Sequence, residues 1–397
     1  MTVSTGERRL KPPILGPSGK PLDCPHRPPC PGCPRFGLPG LAQAAESALG
    51  NLAAQHGLGP VPVISGEMAG FRQRARLAIR GRVGSPKLGL FELGTHRVVH
   101  IPNCVVHDPL INRVAEVVRR ALVEARVSTY SDQAHAGVAR YLQVVVERSS
   151  RTAQVTLVAN AEDPGSLEPC FDLIRDRLGP ELHSLWWNRN TERANTILGS
   201  EFRLIAGAAS VVEHFGGAAI HYPPGAFGQN NLGIAERIIE HVQRFVPEGS
   251  SVAEFYAGVG AIGLSLLERV RELRLNEISP ASLAGLEMGR SALAPSAQLK
   301  TRVFPGVAGA ALEIARDAEV VIADPPRKGL DPELTAALAT APPARFIYVS
   351  CGLESFLRDA AALIDSGKLR LTALTAFTLL PFTEHVETVG VFERRVN

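Results

Sequence analysis

The chain has 397 residues, of which 45% are hydrophobic and 20% are charged, so its composition is that of a folded protein and excludes a wholly disordered or fibrous chain. Its length predicts two or three domains. The sequence contains no apolar run of about 18 residues and no N-terminal charged-then-apolar signal, which argues against a membrane span or secretion and predicts a cytoplasmic protein. The net charge of +3 is uneven, because residues 1–130 carry 17 Lys or Arg against 8 Asp or Glu. This excess predicts an anionic partner, although high-GC coding would also favour arginine.

The N-terminal segment combines a basic tail with a cysteine cluster. Residues 1–20 are rich in Pro, Gly and basic side chains and predict a flexible tail. Three of the six cysteines follow within residues 21–60, at Cys24, Cys30 and Cys33. Six cysteines are too few for a disulfide framework in a chain of this length, so the cluster indicates metal binding. Thiolates bind either zinc or an iron–sulfur cluster, and the spacing alone leaves both open.

A strand rich in arginine comes next. Residues 71–82 alternate between apolar and basic side chains, which predicts a strand with one apolar and one cationic face. The cationic face would carry Arg72, Arg74, Arg76, Arg80 and Arg82. A charged edge strand that discourages aggregation has the same pattern, but five arginines without a carboxylate exceed that need, and we favour nucleic-acid contact. With further strands at 141–147 and 154–159, this part of the chain predicts a small α/β domain over residues 61–215.

Strands and helices alternate over residues 216–397. Such alternation predicts a mainly parallel sheet with helices on both faces, in which ligands bind at the carboxyl ends of the strands. The predicted strands lie at 252–256, 273–277, 299–304, 320–324, 346–350, 369–377 and 386–392. A helix is expected near 263–271, and Ser279-Pro280 is a typical start for another helix.

The first two of these strands end in a candidate nucleotide site. Gly258-Val-Gly260-Ala-Ile-Gly263 follows the first strand, and Glu277 ends the second. A glycine turn lets the backbone approach a nucleotide, and a carboxylate at this position binds ribose hydroxyls. The signal is compatible with NAD, FAD or S-adenosylmethionine, or with a glycine turn that binds nothing.

The later strands end in groups suited to covalent and acid–base chemistry. The fourth strand ends in Asp324-Pro-Pro-Arg-Lys-Gly, whose prolines stiffen a loop that carries a carboxylate and a cation. The fifth ends at Cys351, which is either a buried structural cysteine or a nucleophile whose pKa the following helix N-terminus would lower. His385 and Glu387 lie between the last two strands, and either could act as a base.

Together these segments resemble the RNA uracil carbon-5 methyltransferases, the family that makes 5-methyluridine in tRNA and ribosomal RNA. The resemblance is carried by GAFGQNN (225–231), EFYAGVGAIGL (254–264), NEIS (276–279), DPPRKGL (324–330), YVSCG (348–352) and HVETV (385–389). It implies an α/β protein with a C-terminal Rossmann-like class I S-adenosylmethionine-dependent methyltransferase domain over residues 216–397. An N-terminal cysteine cluster and a central small α/β RNA-binding domain would precede that domain.

The resemblance also implies roles for individual residues. The expected contacts to S-adenosylmethionine are Gln229, Tyr256, Gly258, Glu277 and Asp324. Cys351 would be the nucleophile that adds to carbon 6 of uracil, and Glu387 the base that removes the proton from carbon 5 after methyl transfer. RNA contact would fall to the arginines of the basic strand, namely Arg72, Arg74 and Arg76.

The cysteines resemble the ligand set of the iron–sulfur members of this family. Cys24-x5-Cys30-x2-Cys33 and the distant Cys104 imply a structural [4Fe-4S] cluster that links the N-terminus to the central domain. His26 is an alternative ligand, although a solvated surface histidine is the simpler explanation. Cys170 has no partner in the sequence and is expected to be buried.

Two glycines depart from the family pattern. Gly352 stands where the family has Asn after the nucleophilic cysteine, and Gly228 replaces an aromatic residue before Gln229, so base orientation and adenine contacts are the features affected. The 23 residues before Cys24 are too few for the additional N-terminal β-barrel of some relatives. This architecture resembles the ribosomal RNA enzymes, so 23S ribosomal RNA is expected as the substrate in preference to tRNA. The protein is expected to be a monomer that does not bind membranes.

Two other classes of function are compatible with part of the sequence. An NAD-dependent oxidoreductase with an iron–sulfur cluster would use the glycine turn and Glu277, but it leaves Cys351 and Glu387 without a role. A non-catalytic zinc-type RNA-binding protein would explain the cysteines and the arginine strand. It would not explain a thiol and a carboxylate at adjacent strand ends.

Overall fold

The computed structural model describes residues 21–193 and 195–395, so the tail predicted at 1–20 lies outside the described residues. The strands are β1 (Val63–Ile64), β2 (Arg74–Arg82), β3 (Ser85–Phe91), β4 (Val98–His100), β5 (Ala139–Glu147), β6 (Thr152–Ala159), β7 (Leu182–Arg189), β8 (Glu201–Gly207), β9 (Val211–Phe215), β10 (Ala218–Tyr222), β11 (Ser251–Phe255), β12 (Glu272–Glu277), β13 (Thr301–Pro305), β14 (Val320–Ala323), β15 (Arg345–Ser350), β16 (Leu369–Phe377) and β17 (Glu387–Arg394). The α-helices are α1 (Gln43–Gln55), α2 (Pro109–Glu124), α3 (Glu168–Leu178), α4 (Leu232–Gln243), α5 (Ala261–Leu264), α6 (Pro280–Ser291), α7 (Pro295–Leu299), α8 (Pro332–Thr340) and α9 (Leu353–Asp365). Within these ranges, no helix is long and apolar enough to cross a membrane.

The first sheet contains β2 to β8, in the order β4-β3-β2-β5-β6-β7-β8. Its pairs are antiparallel except β6 and β7, which are parallel and are connected through α3. α2 begins where the Asp108 carboxylate accepts a hydrogen bond from the backbone N of Leu110 (2.9 Å), with Pro109 in the first turn. The apolar side of α2 packs on this sheet, which gives the small α/β unit that the sequence predicts.

The second sheet has the strand order β1-β16-β17-β15-β14-β11-β12-β13. β11 to β15 pair in parallel, and β17 runs antiparallel between β15 and β16. β11 and β14 are buried at every position, as expected for parallel strands that helices cover on both faces. This arrangement confirms the predicted α/β class with a Rossmann-like C-terminal sheet.

Residues from the N-terminal part of the chain also belong to the second sheet. β1 pairs in parallel with β16, with Val63 opposite Ala376. In α1, Leu49 packs into the core that contains Phe346 and Phe356. The second sheet therefore buries residues from both ends of the chain, and the domain limits at residues 20, 60 and 215 stay predictions.

The helix predicted near 263–271 is wrong in its extent. α5 ends at Leu264, and turns follow. The side chain of Gln243 in α4 donates to the carbonyl of Ser265 (3.0 Å), and the Ser265 hydroxyl donates to the carbonyl of Ile262 (2.6 Å). Because side chains take up these backbone groups, the helix stops after one turn.

The cysteine segment packs against the loop between β16 and β17. The backbone N of Arg35 donates to the carbonyl of Phe382 (2.9 Å), and its guanidinium donates to the carbonyl of Thr383 (3.2 Å). The rings of Phe36 and Phe382 lie 4.9 Å apart between centroids. This loop leads directly into Glu387, so the N-terminal segment supports the approach to the candidate base.

Candidate active site

One edge of the second sheet gathers the predicted catalytic residues. β14 and β15 pair in parallel and end at Ala323 and Ser350. β17 runs in the opposite direction, and it begins at Glu387 beside the end of β15. Asp324 and Cys351 are the residues that follow β14 and β15, so they lie at the same edge as Glu387.

The glycine turn after β11 faces the end of β12. Gly258 and Gly260 have φ angles of 58° and 84°, a region of backbone conformation that favours glycine. A Cβ at Gly258 would meet no atom of the described residues within 4 Å, so this part of the turn borders open space. The carboxylate of Glu277 accepts hydrogen bonds from the backbone N of Gly258 (2.8 Å), Ile278 (2.9 Å) and Ser279 (2.6 Å). These bonds hold the carboxylate in a fixed position.

Two exposed apolar side chains follow the ends of β12 and β13, and the sequence analysis missed both. Ile278 follows Glu277 and is 59% exposed, and Val307 follows β13 and is 49% exposed. The backbone N of Gly306 donates to the carbonyl of Glu277 (2.9 Å), which brings the two strand ends together. Exposed apolar groups at a strand-end cleft suit a flat apolar ring. No sequence signal identifies them, because exposure depends on the fold.

Tyr256 connects the glycine turn to the DPPRKGL loop. It has a left-handed backbone with φ of 59°, and its hydroxyl accepts a hydrogen bond from the backbone N of Asp331 (2.9 Å). Burial raises the pKa of Tyr256, so the hydroxyl keeps its proton at neutral pH. Tyr256 is therefore held at the same edge as Glu277 and Asp324.

Three carboxyl groups crowd together below this edge. Burial raises the pKa of Asp324 to about 7. Burial and the nearby Asp324 raise the pKa of both Glu254 and Glu387 well above the usual range. Burial and mutual repulsion disfavour the carboxylate forms of these groups. A cation bound at this edge would have the opposite effect and would favour the carboxylates. The sequence analysis missed Glu254, although an acid inside an apolar strand is a signal that could have identified it.

The structure contradicts the low pKa predicted for Cys351. Burial, together with the carboxyl groups of Glu387 and Asp324, raises the pKa of this thiol to about 11. The prediction considered only the N-terminus of α9, whereas burial and two acids act in the opposite direction. The thiol of the ligand-free protein is therefore protonated at neutral pH. The shift also shows that the acids lie close enough to influence it.

An arginine and a neutral histidine lie together at the rim of the site. The guanidinium of Arg327 opposes the rise in the pKa of Cys351, because a positive charge favours the thiolate. Its Nη2 lies 3.0 Å from Nε2 of His385. Burial and Arg327 lower the pKa of His385, so this imidazole is neutral at pH 7. His385 is exposed, whereas Glu387 is buried and acts electrostatically on the thiol, which favours Glu387 as the base.

Helix α9 holds the DPPRKGL loop in place, and this packing explains Gly352. The Ser355 hydroxyl donates to the carbonyl of Arg327 (2.9 Å), and the Asp359 carboxylate accepts from the backbone N of Leu330 (2.9 Å). A Cβ at Gly352 would lie 2.5 Å from Ser355 Oγ and 2.7 Å from the Arg327 carbonyl oxygen. The glycine that departs from the family pattern thus lets two loops of the site pack closely.

The loop that carries Gln229 spans the boundary between the two sheets. The guanidinium of Arg74 donates to the carbonyl of Ala226 (2.7 Å) and lies 5.6 Å from the ring centroid of Tyr222. A Cβ at Gly228 would lie 2.6 Å from Nη2 of Arg74, so this glycine makes room for the arginine. Gln229 borders the same small cavity as Arg74, and its contact with S-adenosylmethionine stays a prediction.

The arginine face of β2 is not the solvent-facing stripe that the sequence predicts. Arg74 is only 6% exposed, and Arg80, 7% exposed, forms an ion pair with Asp132 (2.7 Å). The alternation correctly separates two faces, but the loop after β10 covers the second face at Arg74, and Asp132 covers it at Arg80. Arg74 is therefore a packing residue and not the expected RNA contact. Arg76 is exposed and Arg72 is partly buried, so both stay candidates.

The four predicted cluster ligands border one cavity of the first sheet. This cavity of about 90 Å³ is lined by Cys24, Cys30, Cys33 and Cys104, among other residues. Burial and the other three thiols raise the pKa of Cys33 to about 12. In the part of the chain that the structure describes, no three His, Cys, Asp or Glu side chains are placed to hold one metal ion. His26 borders the same cavity, but its Nε2 accepts from the backbone N of Asn103 (3.2 Å). Cys170 is buried, as predicted.

Three comparisons relate the chain to known proteins. Residues 215–396 match the family model of the tRNA (uracil-5-)-methyltransferases. An RNA methyltransferase of Protochlamydia amoebophila is 34% identical over 381 residues, which cover 94% of this chain and 98% of the relative. An RNA methyltransferase of Geobacter sulfurreducens is 28% identical over 333 residues, which cover 82% of this chain and 66% of the relative.

A solved structure shares the fold. The tRNA (uracil-54, C5)-methyltransferase of Pyrococcus abyssi, in complex with S-adenosyl-L-homocysteine, aligns with a TM-score of 0.75 over 91% of this chain and 84% of that chain, at 23% identity. The fold, the match to the family model and the near full-length relative agree with the motifs at the strand ends. The chain therefore belongs to the RNA uracil-C5 methyltransferase family and is an RNA methyltransferase.

Proposed function

We propose that this enzyme transfers a methyl group from S-adenosylmethionine to carbon 5 of a uridine in 23S ribosomal RNA, through a covalent adduct with Cys351. The observation that carries the proposal is the pairing of β15 with β17, in which Ser350 lies opposite Thr388, so that Cys351 and Glu387 come together at one edge. A nucleophile and a base so close together are what addition to uracil and later proton removal require. tRNA is the alternative substrate, because the matched family and the solved relative are both named for tRNA.

The strand edge fits S-adenosylmethionine, which supplies a methyl group on a positively charged sulfur. The open space at Gly258 admits a nucleoside, and the fixed carboxylate of Glu277 suits ribose hydroxyls. The exposed Ile278 and Val307 would cover the adenine ring. The buried carboxyl of Asp324 would face the positive charge.

Two further residues are assigned to the same ligand. Tyr256 already holds the glycine turn against the DPPRKGL loop, so it would shape the wall of the pocket. Gln229 would approach from the interface loop, as the family motif implies. The S-adenosylhomocysteine in the Pyrococcus abyssi enzyme supports this assignment at the level of a shared fold.

The proposed reaction uses Cys351 first and Glu387 second. Addition of the thiolate to carbon 6 of uracil makes carbon 5 nucleophilic enough to accept a methyl group. Glu387 then takes the proton from carbon 5, the double bond between carbons 5 and 6 forms again, and the thiolate leaves. Burial raises the pKa of both groups, so positive charge nearby is needed to favour their reactive, ionised forms. Arg327 supplies part of that charge.

Arg76 and Arg72 are the proposed RNA contacts on the first sheet, in place of the buried Arg74. Arg76 is exposed, and its planar guanidinium suits phosphate or base stacking. The target uridine must leave its stack for carbon 6 to reach the thiol. Phosphate contacts on the first sheet would hold the flanking RNA while the target base enters the site at the edge of the second sheet.

The four-cysteine cavity would hold a [4Fe-4S] cluster with a structural role. Four soft thiolates suit iron–sulfur chemistry. The four thiols border one cavity of about 90 Å³, and their spacing resembles the ligand set of the iron–sulfur members of the family. The cluster would therefore join the segment containing Cys24, Cys30 and Cys33 to Cys104.

The decisive test of this proposal is Glu387→Gln, which keeps the shape of the side chain but cannot take a proton. With Cys351 intact, thiol addition and methyl transfer should proceed, but the proton on carbon 5 stays and the thiolate cannot leave. We expect a covalent enzyme–RNA band on a denaturing gel after incubation with methyl-labelled S-adenosylmethionine. The band should carry the methyl label.

Two variants serve as controls for the trapping experiment. Cys351→Ala in the Glu387→Gln background should abolish the band. His385→Ala tests the competing base. Trapping by His385→Ala with normal turnover by Glu387→Gln would contradict the assigned roles. Loss of activity in both without any band would contradict thiol addition itself. Separate 23S ribosomal RNA and tRNA transcripts identify the substrate.

A further inference from the structure

Gln143 links an exposed arginine to the loop that carries Gln229. It lies in β5 opposite Arg76 of β2, and its side chain is completely buried. Its Oε1 accepts a hydrogen bond from Nε of Arg76 (2.8 Å), and its Nε2 donates to the carbonyl of Pro224 (2.6 Å). One side-chain amide therefore connects the surface of the first sheet to residues 223–231.

The first sheet holds this loop at other points as well. Arg74 donates to the carbonyl of Ala226 (2.7 Å), and the backbone N of Gln73 donates to the carbonyl of Asn230 (2.8 Å). Arg74 is itself buried, so its bond responds little to events at the surface. Gln143 differs, because its second hydrogen bond reaches an exposed cation.

We propose that Gln143 is a positioning residue that couples RNA contact at Arg76 to the placement of Gln229, so that RNA and S-adenosylmethionine bind cooperatively. The inference rests on the proposed function, which assigns RNA to Arg76 and S-adenosylmethionine to Gln229. It adds that binding of either ligand strengthens binding of the other before the reaction begins.

The coupling arises because a phosphate on Arg76 would restrain Gln143, and Gln143 in turn restrains the loop that carries Gln229. Among the described residues, the Arg76 guanidinium has one hydrogen bond, from its Nε to Gln143 (2.8 Å), so in the absence of RNA its terminal nitrogens add nothing to hold that bond in place. A phosphate that binds the terminal nitrogens of Arg76 fixes the guanidinium and with it the plane of the Gln143 amide. The hydrogen bond from the amide to the Pro224 carbonyl is then formed for a larger fraction of the time. The loop that carries Gln229 is therefore already ordered when S-adenosylmethionine binds.

The test measures binding of labelled S-adenosylhomocysteine with and without saturating unmodified transcripts of 23S ribosomal RNA and of tRNA. This ligand replaces S-adenosylmethionine because it is not consumed. In the wild-type enzyme we expect RNA to tighten its binding by a factor in the usual range of allosteric coupling, about 5- to 150-fold. Linkage requires that S-adenosylhomocysteine tighten RNA binding by the same factor.

Arg76→Lys is the variant that separates charge from positioning. Lysine keeps the positive charge for phosphate but lacks the guanidinium geometry that places Nε–H on Gln143. We expect RNA affinity to change by only about twofold, while RNA tightens S-adenosylhomocysteine binding by less than about twofold. Gln143→Leu should lose the coupling in the same way, and the double variant should lose no more than either single one.

Arg82→Ala is the matched control, since Arg82 lies at the end of the same strand and pairs with Ser85. It should keep the full coupling. Loss of coupling in Arg82→Ala, or a wild-type enzyme that binds S-adenosylhomocysteine equally with and without RNA, overturns the inference. Methyl transfer to RNA is measured in the same preparations, and if it occurs, the proposed function stands even when the inference is overturned. If no methyl transfer occurs, both the proposed function and the inference are overturned. If Gln143→Leu does not fold, the result for Arg76→Lys is sufficient to decide.

Discussion

At the residue scale, the reactivity of Cys351 depends on opposing charges around its thiol. Burial raises its pKa most, Glu387 and Asp324 raise it further, and Arg327 opposes them. Only the thiolate reacts with an alkylating reagent, so the alkylation rate measures the balance of these charges directly. This measurement needs neither RNA nor S-adenosylmethionine, which separates the electrostatics of the site from its catalysis.

We expect Cys351 to react slowly with iodoacetamide at pH 8, with a rate that rises about tenfold per pH unit until the pH approaches the thiol pKa of about 11. Glu387→Gln removes a negative charge and should speed the reaction. Arg327→Ala removes a positive charge and should slow it. A shift of about 0.5 to 1 pKa unit corresponds to a change of about 3- to 10-fold in rate at pH 8. Mass spectrometry of the peptide containing Cys351 gives the rate.

Cys170 is an internal control in each of these proteins. Burial alone raises the pKa of its thiol to about 12, so neither substitution should change its alkylation rate. Rate changes of the same sign in the two variants would contradict the opposing roles of Glu387 and Arg327. So would a wild-type Cys351 that reacts at pH 8 as fast as free cysteine.

At the scale of elements, the N-terminal segment supports the loop between β16 and β17. The Arg35 guanidinium donates to the carbonyl of Thr383, its backbone N donates to the carbonyl of Phe382, and Phe36 packs on the Phe382 ring. We expect Arg35→Ala and Phe36→Ala to lower kcat by roughly 10- to 100-fold, because a displaced catalytic group costs rate steeply. S-adenosylhomocysteine affinity should change by less than about twofold, since the glycine turn belongs to other strands. Steady-state kinetics and equilibrium dialysis measure the two quantities.

Arg271→Ala is the control for loss of an arginine-to-carbonyl bond elsewhere. Arg271 donates to the carbonyl of Gly249 (2.7 Å) just before β11 begins, at the sheet edge opposite Asp324 and Cys351. Its replacement should leave kcat within about twofold of the wild-type value. Equal losses of kcat in Arg35→Ala and Arg271→Ala would mean that general destabilisation, and not loop support, explains the result.

The elements that the sequence predicts best are those whose residue patterns are local. β14 and β15 are short apolar runs between turn signals, and their ends place Asp324 and Cys351 without any knowledge of packing. The alternation in β2 also predicts two faces correctly. It does not reveal what covers the second face, because the loop that buries Arg74 lies about 150 residues later in the chain.

The two glycines that depart from the family pattern illustrate the same limit. Arg74 occupies the space that a side chain at Gly228 would need, and the carbonyl of Arg327 occupies the space at Gly352. Both neighbours are distant in sequence from the glycines. The pKa of Cys351 was predicted with the wrong sign for a related reason. The helix N-terminus is a local feature, whereas the two acids that raise the pKa come from other strands.

At the scale of the whole molecule, the N-terminal segment contacts both sheets. Cys24, Cys30 and Cys33 border a cavity with Cys104 of the first sheet. Further along, α1 and β1 pack into the second sheet. A group bound by the four thiols would therefore cross-link the chain between Cys24 and Cys104. It would also restrain the N-terminal segment that supports the loop between β16 and β17.

This arrangement predicts the effect of removing the cluster ligands. We expect anaerobically purified protein to be brown, and Cys24→Ser or Cys104→Ser to bleach it. A group bound only by the folded state stabilises that state, and a cross-link over a loop of this length contributes roughly 4 kcal/mol to the free energy of unfolding. Visible absorption and denaturant unfolding, compared with Cys170→Ala as a cysteine outside the cavity, measure colour and stability together. Colourless wild-type protein with one zinc per chain would contradict the [4Fe-4S] assignment. Bleached variants with unchanged stability would contradict its structural role, because a ligand joining Cys24 to Cys104 cannot be lost without freeing the N-terminal segment.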